Sequence, residues 1–232
     1  LLTHSIPDRR WEGAKHEAEY TLDVIRAFGI DAGRADSYTG TLAHLRRRTP
    51  SGKIIAFHAG ASCPSKRWPK EKFAELGKRI RAEYPEAALS VIGGESEKEL
   101  GNYLSNAIGG VRDLTGKLSL KDLAAFLSEC EVLVSNDSGP VHIAAAVGTR
   151  TLTIFGRSLP GLGVVRWRAL GHGHAVIQKD VGCVVCLAHR CTIDFECLKA
   201  VSVNEVWGKL KLMLEVNCHS RESGNQTKHL KV

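Results

Sequence analysis

Val132-Leu-Val-Ser-Asn-Asp-Ser-Gly-Pro-Val-His-Ile-Ala-Ala-Ala-Val-Gly148 joins a buried strand to a helix through a polar loop. Val132, Leu133 and Val134 form the apolar, largely β-branched run of a strand covered on both faces. Asn136, Asp137, Ser138 and Gly139 supply loop and N-cap chemistry, Pro140 suits the first helical position, and Gly148 suits the end. The helix is therefore about two turns long. Its first amides find no partner inside the helix and the peptide dipoles add partial positive charge there, so a phosphate placed before Pro140 is stabilised. Gly139 has no side chain to obstruct close approach. A lone Asp-Ser-Gly turn would establish no site, so the neighbouring segments matter.

Upstream, Ile54-Ile-Ala-Phe-His58 is a strong strand that runs into Ala59-Gly-Ala-Ser-Cys-Pro-Ser-Lys-Arg-Trp-Pro69. A helix begins at Pro69, with Phe73, Leu76 and Ile80 at helical spacing, and Tyr84-Pro85 ends it. Ala88–Ile92 is the next strand, ending at Gly93-Gly94-Glu95; in the following helix Leu100, Tyr103, Leu104, Ala107 and Ile108 share a face opposite Glu97, Lys98 and Asn102. Asp113–Gly116 reads as a turn. Ser119, with Asp122 three residues on, opens a helix lined by Leu120, Leu123, Ala124, Leu127 and Cys130. Thr151–Phe155 is a further strand, followed by the loop Gly156-Arg-Ser-Leu-Pro160. Strands alternating with helices call for an α/β fold with a parallel sheet, right-handed crossovers and a ligand crevice at the carboxyl ends of the strands. No Gly-x-Gly-x-x-Gly and no Gly-x-x-x-x-Gly-Lys-Ser/Thr occurs, which argues against a dinucleotide-dependent dehydrogenase and a P-loop NTPase.

The chain has 232 residues, enough for one sizeable α/β domain with additional pieces. Its excess of seven positive charges fits an anionic substrate, an anionic membrane surface or nucleic acid. Aromatic residues make up only 6% and no nucleic-acid-binding motif is present, so nucleic acid is not the expected partner. No apolar run approaches the ~20 residues that span a bilayer and the N-terminus lacks a signal-peptide pattern, so a cytoplasmic location is expected. Leu1 opens the sequence and Met213 is its one methionine, which leads to the expectation of further sequence upstream.

Asn136-Asp-Ser-Gly-Pro-Val-His142 followed by Ala144-Ala-Ala and Gly148 resembles the signature of glycosyltransferase family 9, the family of the ADP-heptose:lipopolysaccharide heptosyltransferases. The Gly60-Ala-Ser62, Lys66 and Trp68 segment, the Asp113-Leu-Thr-Gly116 segment and Glu95 are similar to family segments in the same order. Arg157 and Ser158 depart from the usual pattern of their loop, whereas Gly156 and Pro160 keep it. The resemblance implies the carboxyl-terminal, Rossmann-like half of a GT-B glycosyltransferase, with helices on both faces of its sheet. It implies residues 1–30 as a helical remnant of the amino-terminal domain and 53–216 as the nucleotide-sugar-binding domain, while the polar, aperiodic stretches 31–52 and 217–232 read as a linker and a disordered tail. The helix from Ala14 to Phe28, with Ala18, Leu22, Ile25, Ala27 and Phe28 as its apolar face, would end that first piece; the linker carries Arg46-Arg47-Arg48.

On this resemblance, Ser138, Gly139 and the helix amides hold phosphate, with Ser62 in the facing loop and Lys66 adding charge. Asp137 accepts sugar hydroxyls, His142 donates to phosphate, and Glu95 takes a ribose. Arg67 is a secondary candidate, Thr115 and Gly116 edge the nucleotide pocket, and Trp68 anchors the helix start. No cofactor and no metal are called for, and no residue of this chain is the catalytic base, which in the family lies in the other half. The implied partners are a nucleotide-diphosphate sugar, ADP-heptose first, and a lipid-linked saccharide acceptor reached through the missing domain at the inner membrane. A non-catalytic nucleotide-sugar or phosphate-binding module is the alternative.

Cys183-Val-Val-Cys186, Cys191 and Cys197 fall within fifteen residues. They fit a thiolate metal site, with His189 as a spare ligand, or disulfides, or reduced packing thiols. Ser202-Val-Asn-Glu205 is a capping box for a last amphipathic helix through Val206, Leu210, Met213 and Leu214.

Overall fold

The computed structural model describes residues 5–39, 42, 53–183 and 185–222. In chain order the helices and strands are α1 (Glu17–Arg26), β1 (Ile54–His58), α2 (Lys70–Glu83), β2 (Ala88–Val91), α3 (Lys98–Ile108), β3 (Arg112–Asp113), α4 (Leu120–Glu129), β4 (Val132–Asn136), α5 (Gly139–Ala146), β5 (Arg150–Phe155), α6 (Val164–Trp167), β6 (Ala175–Gln178), α7 (Glu196–Lys199) and α8 (Val203–Glu222). The six strands form one parallel sheet in the order β3-β2-β1-β4-β5-β6. The order reverses between β1 and β4, where the connections leave toward opposite sides and open a crevice at the carboxyl ends.

Alternation along the strands divides the core into two layers. Ile55 and Phe57 of β1, with Val132 and Val134 of β4, face α2, α3 and α8 through Phe73, Leu76, Leu104, Val206 and Leu210. Ala56 and Leu133 face the opposite way, onto Leu127 of α4 and Ala144 of α5. Helices therefore cover both faces, as expected of the doubly wound sheet. Trp68 is buried at 1% exposure, donates its indole N–H to the Val201 carbonyl at 3.0 Å and meets Phe73 edge-on at 5.0 Å between ring centres. It anchors the start of α2 as expected.

Five details differ from the expectations. Arg112–Asp113 is a short strand beside β2 rather than the start of a turn, and β6 was not foreseen. Two residues carry no alternation to read, and all four β6 residues are only half-buried, without the continuous apolar run of an inner strand. Leu120 is 73% exposed because it opens α4 on the outer side, away from Leu127. In α1 Tyr20 is the buried residue, whereas Ile25 and Phe28 face outward. The helix is held by polar contacts instead: Glu17 pairs with Arg166 at 2.6 Å, and His16 bonds the Arg168 carbonyl at 2.8 Å. Finally, α8 continues to Glu222, into the stretch expected to be disordered. The Arg46–Arg48 run and residues 223–232 lie outside the described residues.

Candidate functional site

The crevice between the loop after β1, the turn before α3 and the first turn of α5 encloses about 820 Å³. His58, Ser62, Glu97, Ser138, Gly139 and Pro140 are among the residues that line it. A Cβ added to Gly139 would meet nothing within 4 Å, so the backbone there faces open space. No side chain caps α5. Pro140 has no N–H and the Val141 amide donates to the Ser138 carbonyl at 3.2 Å, so α5 presents the Gly139 amide and the positive end of its dipole to the crevice, an arrangement that favours an anion.

Asn136, read from the sequence as loop and cap chemistry, is the last residue of β4 and is fully buried. Its side-chain oxygen accepts from the Trp68 amide at 3.0 Å, and its Nδ2 donates to the Ala59 carbonyl at 2.7 Å. One amide side chain therefore fastens the β1 loop to β4. Arg67 closes the same loop by donating Nε and Nη2 to the Ala61 carbonyl at 2.9 and 2.8 Å. Its function here is to shape the loop that presents the exposed Ser62.

Ser138 does not cap the helix because its hydroxyl is taken elsewhere. Its Oγ lies 2.9 Å from Nδ1 of His58, and Nε2 of the same ring lies 3.3 Å from Oε2 of Glu97. The Glu97 carboxylate also accepts from the Gly94 amide at 2.7 Å. Gly60 and Gly93 make room for it: a Cβ on Gly60 would fall 1.5 Å from Oε1, and one on Gly93 2.7 Å from Oε2. The His58 hydrogen bond is the largest cause holding Glu97 below the usual carboxylate range; the Gly94 amide and Arg67 add to it and burial opposes it. The sequence reading put Glu97 on the solvent face of a helix. Residues 95–97 instead form a 3-10 turn, which shifts the phase and turns Glu97 inward.

Glu95, the residue expected at a ribose, is 74% exposed and pairs with Lys98 at 2.5 Å; it does not line the crevice. Thr115 is buried and donates its hydroxyl to Asp113 at 2.6 Å, which closes the turn beside Gly93.

Asp137 is 5% exposed. Lys66 Nζ lies 2.8 Å from its Oδ2 and Arg157 Nη2 lies 3.7 Å away, with both cations largely buried. Arg157, the departure from the family pattern, therefore supplies a second positive charge. Two cations on one carboxylate leave one positive charge in excess behind the first turn of α5. Lys66 has three donors, so its contact with Asp137 leaves two.

His142 lies one turn into α5 and keeps an exposed face, so it is not a core histidine. Its pKa is lowered, first by partial desolvation and then by His16 and Lys66, while Asp137 opposes them. Near neutrality its ring is thus mainly uncharged and can still donate one hydrogen bond.

Cys183, Cys186, Cys191 and Cys197 line a separate cavity of about 280 Å³ behind the β5–β6 loops. All four are free thiols in this structure, and burial followed by the neighbouring thiols raises the pKa of Cys197. Among the described residues no group of three or more His, Cys, Asp or Glu side chains is placed to hold a metal ion. No helix among them is long and apolar enough to cross a membrane.

The chain is similar to lipopolysaccharide heptosyltransferase 2 of Escherichia coli K12, at 32% identity over 130 residues that make up 53% of this chain and 36% of that protein. It is similar to lipooligosaccharide heptosyltransferase 2 of Campylobacter jejuni at 26% over 174 residues, 72% of this chain and 52% of that one. The chain thus spans about a third to a half of these relatives. Among solved structures, a glycosyl transferase family 9 protein from Veillonella parvula superimposes with a TM-score of 0.69 at 20% identity over 90% of this chain and 62% of that one. E. coli heptosyltransferase WaaC with ADP gives 0.63 at 20% identity, over 90% of this chain and 59% of that one. These likenesses establish a Rossmann-like sheet of the kind found in GT-B glycosyltransferases. The pattern of Glycosyltransferase family 9 (heptosyltransferase) matches residues 18–195, and the chain belongs to that family.

Proposed function

We propose that this crevice binds a nucleotide-diphosphate sugar, ADP-heptose first, for transfer to a lipopolysaccharide core saccharide. The observation behind the proposal is the uncapped first turn of α5, open at Gly139 and backed by the surplus cation of the Lys66–Asp137–Arg157 cluster. Residues 53–216 would form the donor-binding unit. Ser138 and the Gly139 amide, at the positive end of the α5 dipole, hold the diphosphate, with Ser62 across the crevice and Lys66 and His142 beside it. Glu97 takes up a ribose more readily than the outward-facing Glu95.

As the sugar leaves, negative charge grows on the diphosphate, and donors already aimed at it lower the barrier without reorganising. Holding the sugar for in-line attack supplies the orientational part. Removing the acceptor proton needs a base, which we assign to the half of the enzyme that carries the acceptor and reaches the inner membrane surface. Transfer by this chain alone is therefore expected to be undetectable.

Calorimetric titration with ADP-, UDP- and GDP-linked sugars tests the proposal. Selective binding of ADP-heptose supports it. Absence of binding by any nucleotide sugar would overturn it, and tight binding of inorganic phosphate alone would favour a non-catalytic phosphate module.

A further inference from the structure

Ser138 Oγ can touch three partners but owns one proton. Nδ1 of His58 is 2.9 Å away, the Ser135 hydroxyl 3.1 Å and the Asn136 carbonyl 3.1 Å. The Asn136 carbonyl already receives the Ser135 hydroxyl at 2.7 Å. On the far side of the ring, Nε2 faces the Glu97 carboxylate at 3.3 Å, and a carboxylate only accepts. Nε2 is therefore the donor in both charge states of His58, and Nδ1 alone changes its role.

With His58 neutral, Nδ1 accepts and draws the Ser138 proton inward, away from the crevice. With His58 charged, Nδ1–H donates to Oγ and the Ser138 proton is free to point at a ligand at the start of α5. A diphosphate there selects the charged ring twice: by attraction between opposite charges in a poorly solvated place, and by its demand for a donor. His58 is 5% exposed, so bulk water does little to level the two states.

We propose that the crevice takes up a nucleoside diphosphate together with one proton, bound at Nδ1 of His58, which acts as a positioning residue that turns the Ser138 hydroxyl toward the phosphate. The inference rests on the diphosphate site proposed above. Around the ring, the charged and titratable groups on the packed elements are Glu97 and the outward Glu95–Lys98 pair on the turn after β2, and Arg67 on the loop after β1. The Lys66–Asp137 pair lies at the end of β4 with Arg157 behind it, and His142 follows on α5. Of these, Glu97 is the group in contact with the ring. No bond other than N–H is made or broken, and the proton comes from the buffer.

The test is titration of the whole chain with ADP at pH 8, in buffers of different ionisation enthalpy, and again across pH 6 to 9. The dependence of heat on buffer counts protons. About one proton per ADP is expected, with affinity falling by up to about tenfold per pH unit over the range in which binding takes up a proton. His58→Gln keeps a hydrogen-bonding side chain but cannot take the proton, so its affinity should be flat with pH. Glu97→Gln provides a second variant should His58→Gln fold poorly: the oxygen that faces Nε2 also accepts from the Gly94 amide, so Gln keeps both hydrogen bonds but removes the negative charge opposite the ring, and the uptake at pH 8 should diminish. ADP bound with no proton uptake, or with uptake undiminished in both variants, overturns the inference and leaves the diphosphate site standing. No ADP binding at any pH overturns both.

Discussion

Two polar clusters flank the first turn of α5 and are built to different ends. His58, Glu97 and Ser138 line the crevice and pass hydrogen bonds along a chain that ends at a hydroxyl. Lys66, Asp137 and Arg157 lie beside it, buried, with two cations on one carboxylate. The first cluster sets the direction of a hydrogen bond and the second sets the sign of the local charge. An anion at the helix start needs both, because the field attracts any anion whereas the hydroxyl distinguishes where its oxygens lie.

The comparison breaks most easily at the charge cluster. Asp137→Ala leaves two buried cations uncompensated, which should cost about 3 kcal/mol in urea unfolding while the chain still folds. Because the bared cations favour the diphosphate, loss of an acceptor for the sugar hydroxyls should appear as a tenfold or greater fall in the preference for ADP-heptose over ADP, about the worth of a hydrogen bond to a charged group. An unchanged calorimetric preference would take Asp137 away from the sugar. Asn136→Ala should cost about 2–3 kcal/mol, since the Trp68 amide and the Ala59 carbonyl would be buried without partners. A smaller loss would show that water replaces the side chain there.

The hydrogen-bond chain should respond more gently. Gly60→Ala drives a Cβ into the Glu97 carboxylate and should cost about 1–3 kcal/mol by overpacking, with loss of the His58 contact visible in the ring nitrogen shifts. Glu205, far from both clusters, provides a reference. Its pKa is lowered to about 2, first by the Lys179 hydrogen bond and then by the Ser202 amide and hydroxyl. Because the folded value lies below the ordinary 4.5, its contribution is present above pH 4.5 and is lost as the pH falls toward 2. The pair is partly exposed, so acid unfolding of Glu205→Gln should differ from the parent by less than about 1 kcal/mol. Glu95→Gln should change stability least, within about 0.5 kcal/mol. If it also leaves ADP affinity unchanged, the ribose falls to Glu97.

The contrast between the clusters is also one of legibility. Long runs spoke clearly: Ile54–His58 became β1 residue for residue, Ser119 caps α4 and the Ser202–Glu205 box opens α8. Asp137 and Lys66 could be singled out because they stand in a motif. Their pairing with each other, and with Arg157, depends on how three loops meet above the sheet, and no spacing encodes that. Glu97 was missed because helical phase was counted through a turn that is not α-helical. A signal did exist in Gly60 and Gly93, whose missing side chains leave the room the carboxylate fills. His58 closes a hydrophobic strand, where a polar terminus reads as the end of a run and not as a group between two partners.

Trp68 has one more consequence. Its backbone is tied to Asn136 at the crevice wall and its indole to Val201, two residues before α8 begins. The last helix and the wall of the crevice thus share a single rigid strut, so shortening the chain from its carboxyl end should slacken a binding surface that the removed residues never touch.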